Sequence, residues 1–271
     1  MSTDATGAVP VIDVRDVRVT FPRRHGGGDS GGRRGRLVAL DGVSLSVARG
    51  ECVGVVGESG CGKSTLVRTI VGLQKPDSGQ VMVEGKAVPA ISDRAQRRRI
   101  QLVFQDPFSA LNPVLKVGTM LSELLRVHRL VPRQDVRSRC AQLLESVGLS
   151  ADYLDAYPRA LSGGQRQRVS IARALALQPS VLLADEVVSA LDVSVQADIL
   201  NLLIGLHEEL GLTILFISHN LAVVRQLCDR VFVMNAGTVV ESGPTEQVFA
   251  EPAHSYTRTL LESIPRIDRR W

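Results

Sequence analysis

The chain has 271 residues, 44% of them hydrophobic, enough for one large core or for a core domain carrying a smaller subdomain, and this excludes disorder for most of its length. Its 32 basic and 28 acidic residues leave a net charge of +4 and are spread along the whole chain, so nothing here argues for a nucleic-acid partner. No apolar run approaches the roughly 18 residues of a membrane-crossing helix, and MSTDATGAVP at the start lacks the regions of a signal peptide, so a cytoplasmic location is expected.

In chain order, Val17, Val19 and Phe21 alternate with polar residues and Val43, Leu45 and Val47 do the same, which predicts two half-buried strands. Between them RRHGGGDSGGRRGR, about residues 23 to 36, cannot bury apolar surface; a mobile loop is expected, with a basic phosphate- or lipid-contacting arm as the alternative. From 52 to 56 the chain is apolar, turns through glycines and enters a helix-like stretch over 63–71, the strand, loop and helix order that opens α/β nucleotide folds. Helical periodicity around 121–130 and 140–147 predicts a helical subdomain over about residues 107–170, inserted in the sheet domain. Residues 181–184 and 213–217 are short β-rich apolar runs; between them Val195, Ile199, Leu202, Leu203, Leu206 and Leu210 recur at helical spacing up to a stop at Gly211. Such a strand, helix, strand unit implies a parallel sheet covered on both faces. After His219 comes a further helix, then a hairpin turning at Asn235-Ala236-Gly237. The four cysteines, Cys52, Cys61, Cys140 and Cys228, fit neither a disulfide framework nor a metal-ligand spacing and read as reduced thiols.

Gly57-Glu58-Ser59-Gly60-Cys61-Gly62-Lys63-Ser64-Thr65 fits the phosphate-loop pattern and sits between a predicted strand and helix. Its glycines let backbone N–H groups approach phosphates, the helix adds its positive end, Lys63 adds a full charge for the β- and γ-phosphates, and Ser64 offers a hydroxyl to Mg²⁺. Leu161-Ser162-Gly163-Gly164-Gln165 opens an amphipathic helix with Ser162 placed as its N-cap, a second anion-binding helix end, or else an ordinary capped helix, which would account for the serine but not for the paired glycines. One chain thus carries two phosphate-ready helix ends but only one lysine-bearing loop, the parts of a site shared between two subunits. The strand at 181–184 ends in Asp185 and Glu186, where an α/β sheet presents its ligands; Asp185 suits Mg²⁺ and Glu186 suits a general base for the attacking water. Alone, two acids there would more often be loop solvation. His219 should emerge at the same edge near the γ-phosphate, Gln105 follows an apolar run where it could sense Mg²⁺ or water, and Phe21 could stack on adenine; each taken singly is as well explained by packing.

Together these residues resemble the ATP-binding cassette ATPases, from Val11 to about residue 265, with a short basic tail at 266–271. The resemblance implies a P-loop α/β core with a mostly parallel sheet, an N-terminal antiparallel β subdomain and the inserted helical subdomain. It makes Gln105 the Q-loop, Leu161 to Gln165 the signature, Asp185 and Glu186 the Walker B pair, Ser189-Ala190-Leu191-Asp192 the D-loop and His219 the switch histidine. It further implies ATP and Mg²⁺ as ligands and a head-to-tail pair of cassettes, in which Ser162 and Gly164 of one close over ATP held by Lys63 of the other. Residues 104–113, 192–197 and 252–257 look like those of dipeptide, oligopeptide and nickel importers, which pair two ATPases with two permeases and an external solute-binding protein. The chain looks like the shorter partner lacking a cysteine-rich iron-sulfur segment, since no cysteine follows Cys228, and it would work on the cytoplasmic face of the membrane. Alternatives are an importer ATPase for nickel or another small solute, or a soluble cassette ATPase acting on DNA or ribosomes.

One departure from the family stands out: Val187 replaces the proline that commonly follows the catalytic glutamate, and it is expected to loosen the turn that aims the carboxylate. Val187→Pro is expected to leave ATPase activity unchanged or to raise it; a large loss measured on the purified variant shows that the valine is required. Cys61, inside the phosphate loop at a helix N-terminus, is expected either to be a reactive thiol protected by ATP or to be a shielded space-filler.

Overall fold

The computed structural model describes residues 9–22, 36–88, 94–106 and 110–263. The expected mobile loop lies outside the described residues except at its last position, as do the basic tail at 266–271 and positions 107–109 at the start of the expected helical subdomain. The chain divides into two compact units, Met1–Ser92 with Ser218–Trp271, and Asp93–Ile217.

In the first unit β1 (Ile12–Pro22) pairs antiparallel with β2 (Arg36–Val47) on one side and with β4 (Ser78–Val83) on the other, and β5 (Lys86–Ala87) extends the sheet beyond β4. The alternation that predicts β1 changes phase within the strand: Ile12 and Val14 are buried, and so are Val17 and Val19. Register shifts between Val14 and Val17, with Asp16 at φ 46°, supply the extra residue that keeps both pairs on the core face. The fully buried β3 (Cys52–Val56) runs parallel to β9 (Arg230–Asn235), and β9 turns back antiparallel into β10 (Thr238–Pro244). Ala236 and Gly237 both take positive φ at this turn, as a two-residue hairpin demands. Helix α1 (Lys63–Ile70) follows β3.

Cys52 and Cys228 are free thiols with their Sγ atoms 3.8 Å apart, a pairing that their separation in sequence conceals. The hydrogen bond to Cys52, then burial, push the Cys228 thiol well above its ordinary pKa, so it stays protonated.

In the second unit β6 (Ile100–Val103), β7 (Val181–Asp185) and β8 (Thr213–Ser218) are parallel neighbours in that order. The unit opens with the short helix α2 (Arg94–Arg99), which leads into β6. Val181 to Ala184 are buried throughout, as a strand covered on both faces requires. Between β6 and β7 lie α3 (Val117–Val127), α4 (Val136–Glu145), a 3-10 turn over Ala151–Asp155 and α5 (Gly163–Leu175), all helical as expected. Helix α6 (Val193–Leu210) joins β7 to β8 and stops at Gly211, which takes φ 60°. Three shorter helices complete the first unit: α7 (Leu221–Leu227), α8 (Thr245–Ala250) and α9 (Ser255–Glu262). Among the described residues no helix is long and apolar enough to cross a membrane.

Gln167 on α5 is 0% exposed, and neither atom of its amide has a hydrogen-bond partner among the described residues. A buried orphan amide costs about 1–3 kcal/mol. Gln167→Met, which keeps the volume and removes both polar atoms, should therefore raise the urea midpoint with the slope of the transition unchanged. An unchanged or lowered midpoint means that the amide is satisfied in solution.

Candidate functional site

Three groups of predicted site residues stand on the strand ends and helix starts just described. The first is the loop between β3 and α1. At Gly57 a Cβ would lie 2.2 Å from the Met234 carbonyl oxygen, and at Gly62, which takes φ 110°, it would lie 2.5 Å from that of Ala39. Backbone this close leaves room only for glycine. The β9–β10 turn buttresses the loop, with Gly237 N–H donating to the Cys61 carbonyl at 3.0 Å and Asp41 N–H donating to that of Gly237 at 2.9 Å. The Lys63 side chain folds back into the loop, where Nζ donates to the carbonyls of Gly57 at 2.6 Å and Glu58 at 2.9 Å. Gly62 caps α1 without a side-chain acceptor, so the first-turn N–H groups that have no intrahelical partner face out of the helix beside a buried ammonium. Ser59, Gly60 and Ser64 are exposed and Thr65 is half-buried.

Cys61 is 6% exposed, with Sγ 3.8 Å from Lys63 Nζ. That exposure fits the shielded space-filler rather than the reactive thiol, because alkylation needs access as well as thiolate. In the same unit His219 is exposed just beyond β8, immediately before Asn220, whose side chain caps α7 by accepting from Ala222 N–H at 3.1 Å. Phe21 is half-buried near the end of β1, opposite Leu37.

The second group sits at the ends of β6 and β7. The two strands are parallel with Val103 opposite Ala184, so each chain two residues further on brings Gln105 opposite Glu186. Gln105 Nε2 donates to Glu186 Oε2 at 3.1 Å and to Ser189 Oγ at 3.2 Å. Glu186 takes φ 49°, a left-handed conformation uncommon for a side chain of this kind. Three hydrogen bonds hold it there: Glu186 N–H to the Ile217 carbonyl at 2.9 Å, and to its own carbonyl Ser189 N–H at 3.1 Å and Ser189 Oγ–H at 2.9 Å. Val187 is buried, so the turn is pinned by these bonds and by apolar packing. Asp185 is half-buried at the end of β7.

The third group is the start of α5. Ser162 Oγ accepts from Gln165 N–H at 3.2 Å and Gln165 Oε1 accepts from Ser162 N–H at 2.9 Å, a complete capping box. A Cβ on Gly163 would meet Leu191 Cδ2 at 3.4 Å, and one on Gly164 would lie 2.5 Å from Val195 Cγ1. Gly164 thus has a packing reason of its own, the close approach of α5 to the start of α6, whereas a Cβ on Gly163 would make only an ordinary contact. Gly164→Ala should cost stability through that clash and lower ATP turnover with it, measured by thermal unfolding and phosphate release. Wild-type values for both show that Val195 can yield. Asp192 is exposed at the N-cap of α6.

The family described as ABC transporter matches residues 40–189, and one described as oligopeptide/dipeptide transporter, C-terminal region, matches residues 240–271. The chain belongs to the ABC transporter family. It is 46% identical over 96% of its length to a probable D,D-dipeptide transport ATP-binding protein of Escherichia coli, covering 80% of that protein. It is 44% identical over 94% of its length to an oligopeptide transport ATP-binding protein of Bacillus subtilis, covering 78% of it. Among solved structures, cbiO1 of Clostridium perfringens, part of the ABC transporter complex cbiONQ, matches with a TM-score of 0.75 and 31% identity, over 95% of this chain and 97% of that one. An ATP-binding cassette solved as a dimer in a post-hydrolysis state with ADP and Pi matches with a TM-score of 0.73 and 30% identity, over 86% of this chain and 98% of the other. This ABC transporter chain therefore has the α/β ATPase fold of the cassettes, with parallel strands, an antiparallel β portion and helices.

Two polar partners in the second unit escape sequence reasoning. Ser189 lies inside the quoted Ser-Ala-Leu-Asp run, yet nothing in that run tells that its hydroxyl joins Gln105 to the Glu186 carbonyl. Tyr153, whose hydroxyl receives Gln165 Nε2–H at 2.8 Å, lies outside every motif.

Proposed function

We propose that the chain is the ATP-hydrolysing subunit of a membrane importer for peptides, acting on the cytoplasmic face as one of a pair of cassettes docked on two permeases. An extracytoplasmic solute-binding protein delivers the peptide. The observation that carries the ATP part is the buried Lys63 ammonium set among loop carbonyls, beside glycines that admit no side chain. A compact cation and outward N–H groups on one loop suit the β- and γ-phosphates. The peptide part is supported by the relatives' names and by the match of residues 240–271.

Ser64, Asp185 and Gln105 offer a hydroxyl, a carboxylate and an amide carbonyl, the hard oxygen donors that Mg²⁺ prefers. Mg²⁺ takes much of its shell from water and substrate phosphates, so one or two such protein donors suffice. A Mg²⁺ ion held by such donors would neutralise phosphate charge. Gln105 already gives its amide nitrogen to Glu186, which leaves Oε1 as the end suited to a cation or its water.

Glu186 acts as general base on the water that attacks the γ-phosphorus, and the proton moves to its carboxylate as the bond to the leaving ADP oxygen breaks. His219 supports the γ-phosphate side. The partner cassette supplies Ser162, Gly163, Gly164 and Gln165 at the phosphates and Asp192 beside them, while Phe21 stacks on adenine. Closure on ATP and reopening after hydrolysis drive the permeases.

The test is uptake of a labelled tripeptide into proteoliposomes holding this chain with its partner ATPase, permeases and binding protein. ATP-dependent uptake that stops with Glu186→Gln supports the assignment. ATP hydrolysis without uptake of any peptide overturns the substrate, and no ATP binding overturns the whole.

A further inference from the structure

Helix α9 lies in the stretch that matches the oligopeptide/dipeptide C-terminal region, far along the chain from the phosphate loop. Its start is tightly specified. The Glu241 carboxylate on β10 accepts from Ala253 N–H at 2.8 Å and His254 N–H at 3.0 Å, and His254 Nδ1 caps the helix by accepting from Tyr256 N–H at 3.1 Å. That sets Tyr256 so that its hydroxyl reaches Glu58 N–H, 3.1 Å away, inside the phosphate loop. The residue so held is the one whose carbonyl receives Lys63 Nζ at 2.9 Å and whose peptide neighbour Gly57 receives it at 2.6 Å. We propose that Tyr256 is a positioning residue for nucleotide binding: its hydroxyl fixes the Glu58 peptide, and through that peptide the carbonyls that aim the Lys63 ammonium. The C-terminal region thereby takes part in the geometry of the phosphate loop.

Three features support the assignment. Tyr256 and the loop belong to one compact unit. Burial beside the loop pushes the phenol above its ordinary pKa, so at neutral pH it stays uncharged, and the oxygen accepts the amide hydrogen without adding negative charge beside the phosphates. The partner on the loop is a backbone N–H, so replacing the Glu58 side chain does not remove the bond; only residue 256 does.

The inference rests on the loop being the ATP site, and two measurements on the full-length chain keep the two claims apart. In nucleotide-free protein, Tyr256→Phe should speed amide hydrogen exchange of a peptide covering 57–62 about three- to tenfold, the loss expected for one hydrogen bond. In steady-state ATPase assays the same variant should raise KM for ATP by a similar factor, with kcat within twofold of wild type, since the phenyl ring still fills its place. Unchanged exchange together with unchanged KM overturns the assignment. So does a lowered melting temperature with unchanged exchange, which marks a purely structural role. Failure of the wild-type chain to bind a fluorescent ATP analogue, with the exchange effect present, overturns the ATP reading and leaves the brace on Glu58 standing.

Discussion

Glu186→Gln should lower ATP hydrolysis about 10²- to 10⁴-fold, the range over which a positioned general base contributes. The substitution keeps size and shape and removes only the basic oxygen. Its amide oxygen can still receive the Gln105 Nε2–H that meets Glu186 Oε2 at 3.1 Å, and the backbone pins from Ile217 and Ser189 are untouched. Binding of ATP therefore survives while turnover stops, and a nucleotide-bound dimer should accumulate in gel filtration with ATP and Mg²⁺. Hydrolysis at the wild-type rate removes Glu186 as the base.

Lys63→Ala should weaken ATP binding by about 10²-fold or more, since charge-assisted contacts contribute about 1.5–3 kcal/mol each and in the proposed site the ammonium would serve more than one phosphate oxygen. The loop itself also loses the cation that ties the carbonyls of Gly57 and Glu58 together. Lys63→Arg should not restore affinity, because a planar guanidinium does not fit where a compact ammonium is 5% exposed. Titration with a fluorescent ATP analogue reads both variants. Wild-type affinity in Lys63→Ala shows that phosphate binds elsewhere.

Much of the fold and of the candidate site is legible in the sequence because it rests on local rules. The parallel run of β7 and β8 follows from apolar strands around a helical pattern, the hairpin from Asn235-Ala236-Gly237, and the stop of α6 from Gly211. The phosphate loop is legible because glycine spacing, lysine and helix start lie within nine consecutive residues. What stays hidden depends on partners distant in sequence. The bulge at Asp16 changes the phase of β1, and only pairing with β2 and β4 explains it. The Gln105 to Glu186 bond spans 81 positions and needs the register of β6 on β7. Cys52 and Cys228 meet across 176 positions. In the signature, the pattern suggests an anion site, whereas the need for glycine at 164 is set at least in part by a valine on another helix.

That last contact ties two positions together over evolutionary time. With 2.5 Å between a Cβ at 164 and Val195 Cγ1, position 164 is not free to gain a side chain while the valine stays. Descendants that acquire alanine at 164 should trade the valine for a smaller residue. A double-mutant cycle pairing Gly164→Ala with Val195→Ala should show the second change repairing part of the harm done by the first.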